Sequence, residues 1–197
     1  MATENITISR ASLLKAYREA EPAQKELLKK LFGSDTFTIS FNVMDRVKTF
    51  RDAVVELGND DPLVQQYNQF YTELGDRMDQ DIIAYLKLRI ITAALNEGWE
   101  PQFTKAEYRY YPLFAVLSKE EYYALNDDEK QQCVGRSNNS ASAYGGLVYA
   151  DTFHISVASY TNDGVRLAFK TRELAEYAGK QFINIWADFV FKSKDNE

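Results

Sequence analysis

The amino-acid sequence predicts an α+β protein, with a helical N-terminal half packed on a small, mostly antiparallel sheet and closed by a C-terminal helix. Two observations predict it. Apolar residues recur at helical spacing as far as Asn96-Glu97-Gly98, and from Trp99 onward the pattern shifts to short strand-like runs. After Thr171 the helical period returns through Leu174, Tyr177, Ala178, Phe182, Ile185 and Phe189. The chain has 197 residues, 45% apolar and 26% charged, which suits an ordinary folded domain rather than a disordered one. We expect a helical region at 1–98 and an α+β region at 99–197 that together form one unit.

The elements follow in order. Ser9 or Ser12 caps a short helix through Leu13, Leu14 and Tyr17. Pro22 opens a second helix with Leu27, Leu28, Leu31 and Phe32, and Gly33 stops it. Thr36 to Phe41 alternates polar and apolar, as a short strand does. Asp45 caps a helix through Val47, Phe50, Val54 and Leu57, and Asp61-Pro62 opens another. Asp79 or Asp81 begins the longest apolar run, Ile82 to Leu95, whose wide apolar face marks the central buried helix. Tyr110 to Leu117 reads as a strand, with Pro112 marking an edge or a bulge. Ser118-Lys119-Glu120-Glu121 and Asp127-Asp128-Glu129 each open a helical turn. Strands are expected at 144–150, 153–160 and 165–170, with a turn at Asn162-Asp163-Gly164, and the closing helix spans 171–191. Within that helix Phe182 and Ile185 are expected to be core residues.

Composition limits the function. The net charge of −6 argues against a nucleic-acid partner, because phosphate contacts need a basic face. Lys25, Lys29 and Lys30 read as a solvated helix face. No apolar run is long enough to insert in and cross a membrane, and the first residues do not read as a signal peptide. A single cysteine, Cys133, allows no intrachain disulfide and fits a reducing compartment, so a cytoplasmic or virion-associated location is expected.

The chemistry of catalysis is sparse. With one histidine, His154, and one cysteine, no Ser-His-Asp triad, Cys-His pair or conventional zinc site is expected, and no Gly-rich phosphate loop precedes a helix. No EF-hand spacing supports a calcium loop through Asp151, Asn162 and Asp163. The expectation is therefore a protein without catalytic residues, metal or cofactor.

Residues 137–164 stand apart. They contain no Lys, Arg, Glu, Gln, Met or Trp. Codons ending in a pyrimidine cannot encode Lys, Glu, Gln, Met or Trp, yet readily encode the Asn, Ser, Tyr, Asp, Thr, Ala and Gly found here. An Asn codon randomised at both adenines yields this repertoire. A buried sheet rich in small residues is the competing explanation.

Gly135-Arg136-Ser137-Asn138-Asn139, followed by Ser159-Tyr160-Thr161-Asn162-Asp163-Gly164-Val165-Arg166-Leu167, resembles the variable region of proteins diversified by diversity-generating retroelements, here at about residues 135–169. Arg136 stands where that pattern has a second Gly, and Val165 where it has Phe. The C-terminal helix also departs from the pattern, in which the variable region usually ends the chain. Leu86 to Ile90, Asn96 to Trp99, Tyr110 to Pro112 and Arg166 to Phe182 resemble an uncharacterised family of gut-bacterial and prophage proteins.

The first resemblance implies a C-type-lectin-like sheet whose variable side chains form a hypervariable ligand-binding face for a protein or cell-surface ligand. On that reading the contact residues are Asn138, Asn139, Ser142, Tyr144, Tyr149, Asp151, Phe153, His154, Tyr160 and Asn162. Tyr144, Phe153, His154 and Tyr160 are the expected anchors, since aromatic residues dominate binding hot spots. Arg166 is expected to clamp the end of the segment, a task that suits a planar five-donor group. The alternative reading is a prophage-encoded structural or assembly protein with no small-molecule ligand.

Overall fold

The computed structural model describes residues 8, 10–37, 42–102, 104, 106–131, 133–134, 146–155 and 164–191. Among them are ten α-helices and one three-stranded antiparallel sheet, so the protein is α+β. The helices of the first half are α1 (Arg10–Glu19), α2 (Pro22–Phe32), α3 (Val43–Arg46), α4 (Phe50–Leu57), α5 (Pro62–Leu74) and α6 (Gln80–Asn96). Then come strand β1 (Arg109–Leu117), helices α7 (Lys119–Ala124) and α8 (Asp127–Gln131), strands β2 (Cys133–Val134) and β3 (Gly146–Ile155), and helices α9 (Arg172–Gln181) and α10 (Ile183–Val190).

Several boundaries follow from capping chemistry. Pro22 and Pro62 occupy the first turns of α2 and α5, where a missing N–H costs nothing. Ser118 and Glu121 form a reciprocal capping box on α7. The cap of α4 is not Asp45 but Thr49, whose hydroxyl accepts from Asp52 N while the Asp52 carboxylate takes the Thr49 and Lys48 N–H groups. Asp45 lies inside the one-turn helix α3, which Asn42 caps. The expected strand at 36–41 is not one where it is described: Ser34–Phe37 is a 3-10 turn, and 38–41 lie outside the described residues.

The sheet order is β1-β3-β2, with β3 central. The two strands expected at 144–150 and 153–160 are, as far as described, one strand. A β-bulge accounts for the broken alternation: Leu113 faces Asp151 and Phe114 faces Tyr149, so Ala150 has no opposite residue. Pro112, beside the bulge, sits where β1 needs no ladder bond from its nitrogen. The strand expected at 165–170 is a 3-10 turn (Val165–Leu167) followed by a single bridge between Phe169 and Tyr110.

The continuous closing helix breaks at Phe182, which has φ −110° and ψ 25°. The break lets α10 turn its own apolar face inward. The Trp186 indole then donates to the Ala178 carbonyl at 3.2 Å. Phe182 is buried as expected, but Trp186 and Ala187, rather than Ile185, are the fully enclosed residues of α10.

One apolar core joins the two halves of the sequence. It includes Leu88, Ile91 and Leu95 of α6, Leu147 of β3, Phe169, Ala175 and Ala178 of α9, and Trp186 of α10. A smaller cluster, Leu13, Leu14, Tyr17 and Phe37, holds α1 and the 34–37 turn together. Gly179 marks where α9 lies closest to the sheet. A Cβ there would stand 2.7 Å from Tyr149 Cδ2 and 2.8 Å from Pro112 Cβ.

Candidate functional site

Strand pairing decides which side chains meet. Tyr110 lies opposite His154, Pro112 opposite Thr152, and Phe114 opposite Tyr149, so these share one face of the sheet. Further along that face the helices cover it, with Gly179 of α9 at Pro112 and Tyr149, and Trp186 of α10 at Phe114. At the other end the cover stops. There Tyr108, Tyr110 and His154 form a cluster of rings, with Tyr108 and His154 exposed. Tyr108 and His154 meet edge to face at 5.1 Å between centroids, Tyr110 and His154 lie at 5.8 Å, and the two tyrosines at 6.3 Å.

The backbone under this cluster is fixed from both sides. Tyr110 exchanges two backbone hydrogen bonds with Phe169, at 3.1 and 2.9 Å, on the edge away from β3. Residues 168 and 170 face the other way, toward Asn96 at the end of α6. Asn96 Nδ2 donates to the Ala168 carbonyl at 2.8 Å, and Lys170 N donates to Asn96 Oδ1 at 3.1 Å. A buried amide side chain thus completes the hydrogen bonding of a one-residue strand.

An ionic network extends this support. Arg46 makes a two-pronged contact with Glu56, at 2.7 and 3.1 Å, and a further bond to Glu97 at 2.9 Å. Glu97 also accepts from Lys170 at 3.3 Å. Burial pulls the Arg46 pKa down, but its two carboxylate partners outweigh that and hold it above the ordinary value. Glu97 itself has φ +50°, a left-handed conformation that closes α6. No pattern in the sequence connects these four charges. The Asn-Glu-Gly run marks the end of a helix and does not reveal that Glu97 meets Arg46 and Lys170.

The expected contact residues distribute as follows. Asn138, Asn139, Ser142, Tyr144, Tyr160 and Asn162 lie outside the described residues. Asp151 and His154 are exposed, and Asp151 pairs with Arg172 at 2.6 Å. Phe153 is half-buried and stacks at 5.3 Å on Tyr111, which is fully buried on the opposite sheet face. Tyr149 turns under α9 instead of outward: its hydroxyl lies 2.6 Å from Thr152 Oγ1, and the Lys180 ammonium sits 5.0 Å from its ring centre. The bulge at Ala150 explains the split, because it re-aims the strand between Tyr149 and Asp151. Arg166 is exposed, so it does not serve as a buried clamp. The 3-10 turn sends Leu167 inward and Arg166 outward. Arg109, at the start of β1, is fully enclosed, and its Nη1 lies 3.6 Å from a Glu107 carboxylate oxygen.

Two further features complete the surface. An open groove of about 410 Å³ runs along α9 between Glu173, Glu176, Tyr177, Lys180 and Gln181. Within it Glu176 and Lys180 pair at 2.6 Å. Among the described residues no group of three or more His, Cys, Asp or Glu side chains could hold a metal ion. Nor, among them, is any helix long and apolar enough to cross a membrane. No protein family, curated protein or solved structure was found to match the chain.

Proposed function

We propose that this chain is a recognition protein without catalysis, and that its contact surface is the open end of the β1–β3 face. Tyr108, Tyr110 and His154 form the centre, and the diversified segment 137–164 supplies the variable part. The observation that carries the reading is the ring cluster itself. Exposed aromatic rings on an ordered strand offer large contact area at small entropic cost. Support from Phe169, Asn96 and the Arg46–Glu97–Lys170 network favours a preorganised surface, which reduces what binding must spend on ordering. The partner is a protein or cell-surface ligand that accepts a flat aromatic patch.

Replacement of Tyr108 and His154 together by Ala tests this. Both are exposed, so the thermal midpoint should stay within what about 1 kcal/mol would shift. Capture of a partner from bacterial envelope fractions should be lost in the variant and kept by the native chain. Equal capture by both chains would remove the patch from the reading. The diversified character has a separate test at the locus. A near-copy of the coding segment for 137–164, differing only at adenines and beside a reverse transcriptase, is expected, and its absence would leave a fixed recognition surface.

A further inference from the structure

Six of the exposed large hydrophobic side chains fall into two groups on elements that do not belong to the ring cluster. Leu27, Leu31 and Phe32 lie on α2, and Leu31 is 65% exposed. Helix α2 has no buried residue at all, although it carries four large apolar side chains. Tyr71, Leu74 and Ile82 lie at the corner where α5 ends and α6 begins. Tyr71 and Leu74 continue the stripe of α5 that buries Val64 and packs Tyr67 on the core, so here the helix overhangs the body with its apolar face uncovered.

The two groups sit in fields of opposite sign. Helix α2 with its cap residue carries Lys25, Lys29 and Lys30 against Glu21 and Glu26, a positive excess in a chain whose net charge is −6. On α2 Lys30 is exposed, whereas Lys25 and Lys29 sit 5.9 and 6.0 Å from the Tyr17 ring centre and Lys29 pairs with Glu26 at 3.0 Å, so Lys30 is the lysine turned to a partner. The corner is acidic, with Glu73, Asp79 and Asp81 all exposed. Its cation, Arg77, donates to the Glu73 backbone carbonyl at 2.8 Å rather than to a carboxylate.

We infer that the occupant of the α2 face is a second copy of this chain, docked through its α5–α6 corner. Each surface presents three large apolar residues, and Lys30 of one meets the carboxylates of the other. Such charge complementarity steers encounter and fixes orientation, while apolar burial holds the contact. Because the two patches are different surfaces, each contact leaves one of each free, and association runs head to tail.

Sedimentation velocity of the full chain over a concentration series tests the contact. At about 0.05 M salt the weight-average mass should rise with concentration, and at about 0.5 M the association should weaken at least about tenfold as screening shortens the reach of the charges. Leu27→Ser with Leu31→Ser should give a monomer with an unchanged circular dichroism spectrum. Lys30→Glu alone and Glu73→Lys alone should each weaken association, and the chain carrying both should regain it. Three results would overturn the inference: a native chain that is monomeric throughout, association that survives the two serine replacements, or no recovery in the double reversal. Binding of the α2 face to anionic phosphatidylglycerol vesicles by a chain that stays monomeric would overturn it too, since the occupant would then be a lipid surface.

Discussion

The side chain of Asn96 reaches across to Ala168, donating to its backbone carbonyl at 2.8 Å, and takes the Lys170 N–H on its other arm. Between these two bonds Phe169 turns its own backbone to Tyr110. The amide therefore ties the end of the central helix to the strand that carries the ring cluster. Asn96→Ala removes both bonds inside a buried site and leaves two backbone groups without their partner. The expected cost is about 3 kcal/mol, read as a lower urea midpoint at constant slope. A loss under about 1 kcal/mol would mean that the 168–170 segment finds other partners.

Gly179 gives a prediction of opposite sign to helix propensity. In an exposed helix interior Gly→Ala stabilises by about 1 kcal/mol. Here the added methyl meets the Tyr149 ring and Pro112, so Gly179→Ala should destabilise by about 1–3 kcal/mol. The penalty should shrink in a Tyr149→Ala background, because the two sites share the contact. A thermal midpoint that rises in the single variant would contradict the close approach of α9.

Arg46 should not tolerate Lys. A lysine ammonium cannot reproduce the two-pronged contact with Glu56 while also bonding Glu97. Arg46→Lys should lower stability measurably. Arg46→Met should cost more, about 3–5 kcal/mol, since it leaves the buried Glu56 carboxylate without its cation. Paired replacement of Arg46 and Glu56 by Met and Leu should cost less than Arg46→Met alone, and chemical denaturation of the three variants decides it.

The cap of α4 predicts an acid-sensitive contribution. The Thr49 hydroxyl, helped by the backbone N–H groups of Thr49 and Lys48 and by the Arg51 charge, holds the Asp52 carboxyl below its ordinary pKa against the opposing effect of burial. A depressed folded pKa contributes stability that is complete above the unfolded value, near 4, and is lost as pH falls through the folded value. Asp52→Ala should therefore cost about 1 kcal/mol at pH 7. The gap between native and variant should narrow below about pH 4. Equal gaps at pH 7 and pH 3 would assign the effect to packing instead.

Much of the helical half is legible in the sequence because its signals are local. Pro22, Gly33, Asp61-Pro62 and Ser118 act within one turn, and α6 shows its buried face by period alone. What is not legible depends on partners far along the chain. The bulge at Ala150 cannot be read without knowing that Leu113 and Phe114 lie opposite. It is this bulge that sends Tyr149 under α9 and leaves Asp151 exposed, although both occur in the same Tyr-rich run. The break at Phe182 has no Pro or Gly at the break itself to announce it, and it accompanies the packing of Trp186 on Phe114 from β1. The two residues that join His154 in the ring cluster, Tyr108 and Tyr110, sit outside segment 137–164, and only the register of β1 on β3 brings them together. Arg46, Glu56, Glu97 and Lys170 are scattered over more than half the chain, so no spacing rule connects them.

The strand order carries a consequence for how the chain acquires its fold. Strands β1 and β3 are joined by no tight hairpin: even at their nearest register pair, Leu117 opposite Gly146, α7, α8 and β2 lie between them in sequence. Sheet formation must therefore close a long loop before any ladder bond repays it, and pairings of that kind are slow. During synthesis β1 leaves the ribosome well before β3 exists, with the uncharged run Tyr110 to Leu117 awaiting its partner. Pro112 lies inside that run and donates no N–H, so it interrupts the ladder that two waiting β1 strands would otherwise form with each other.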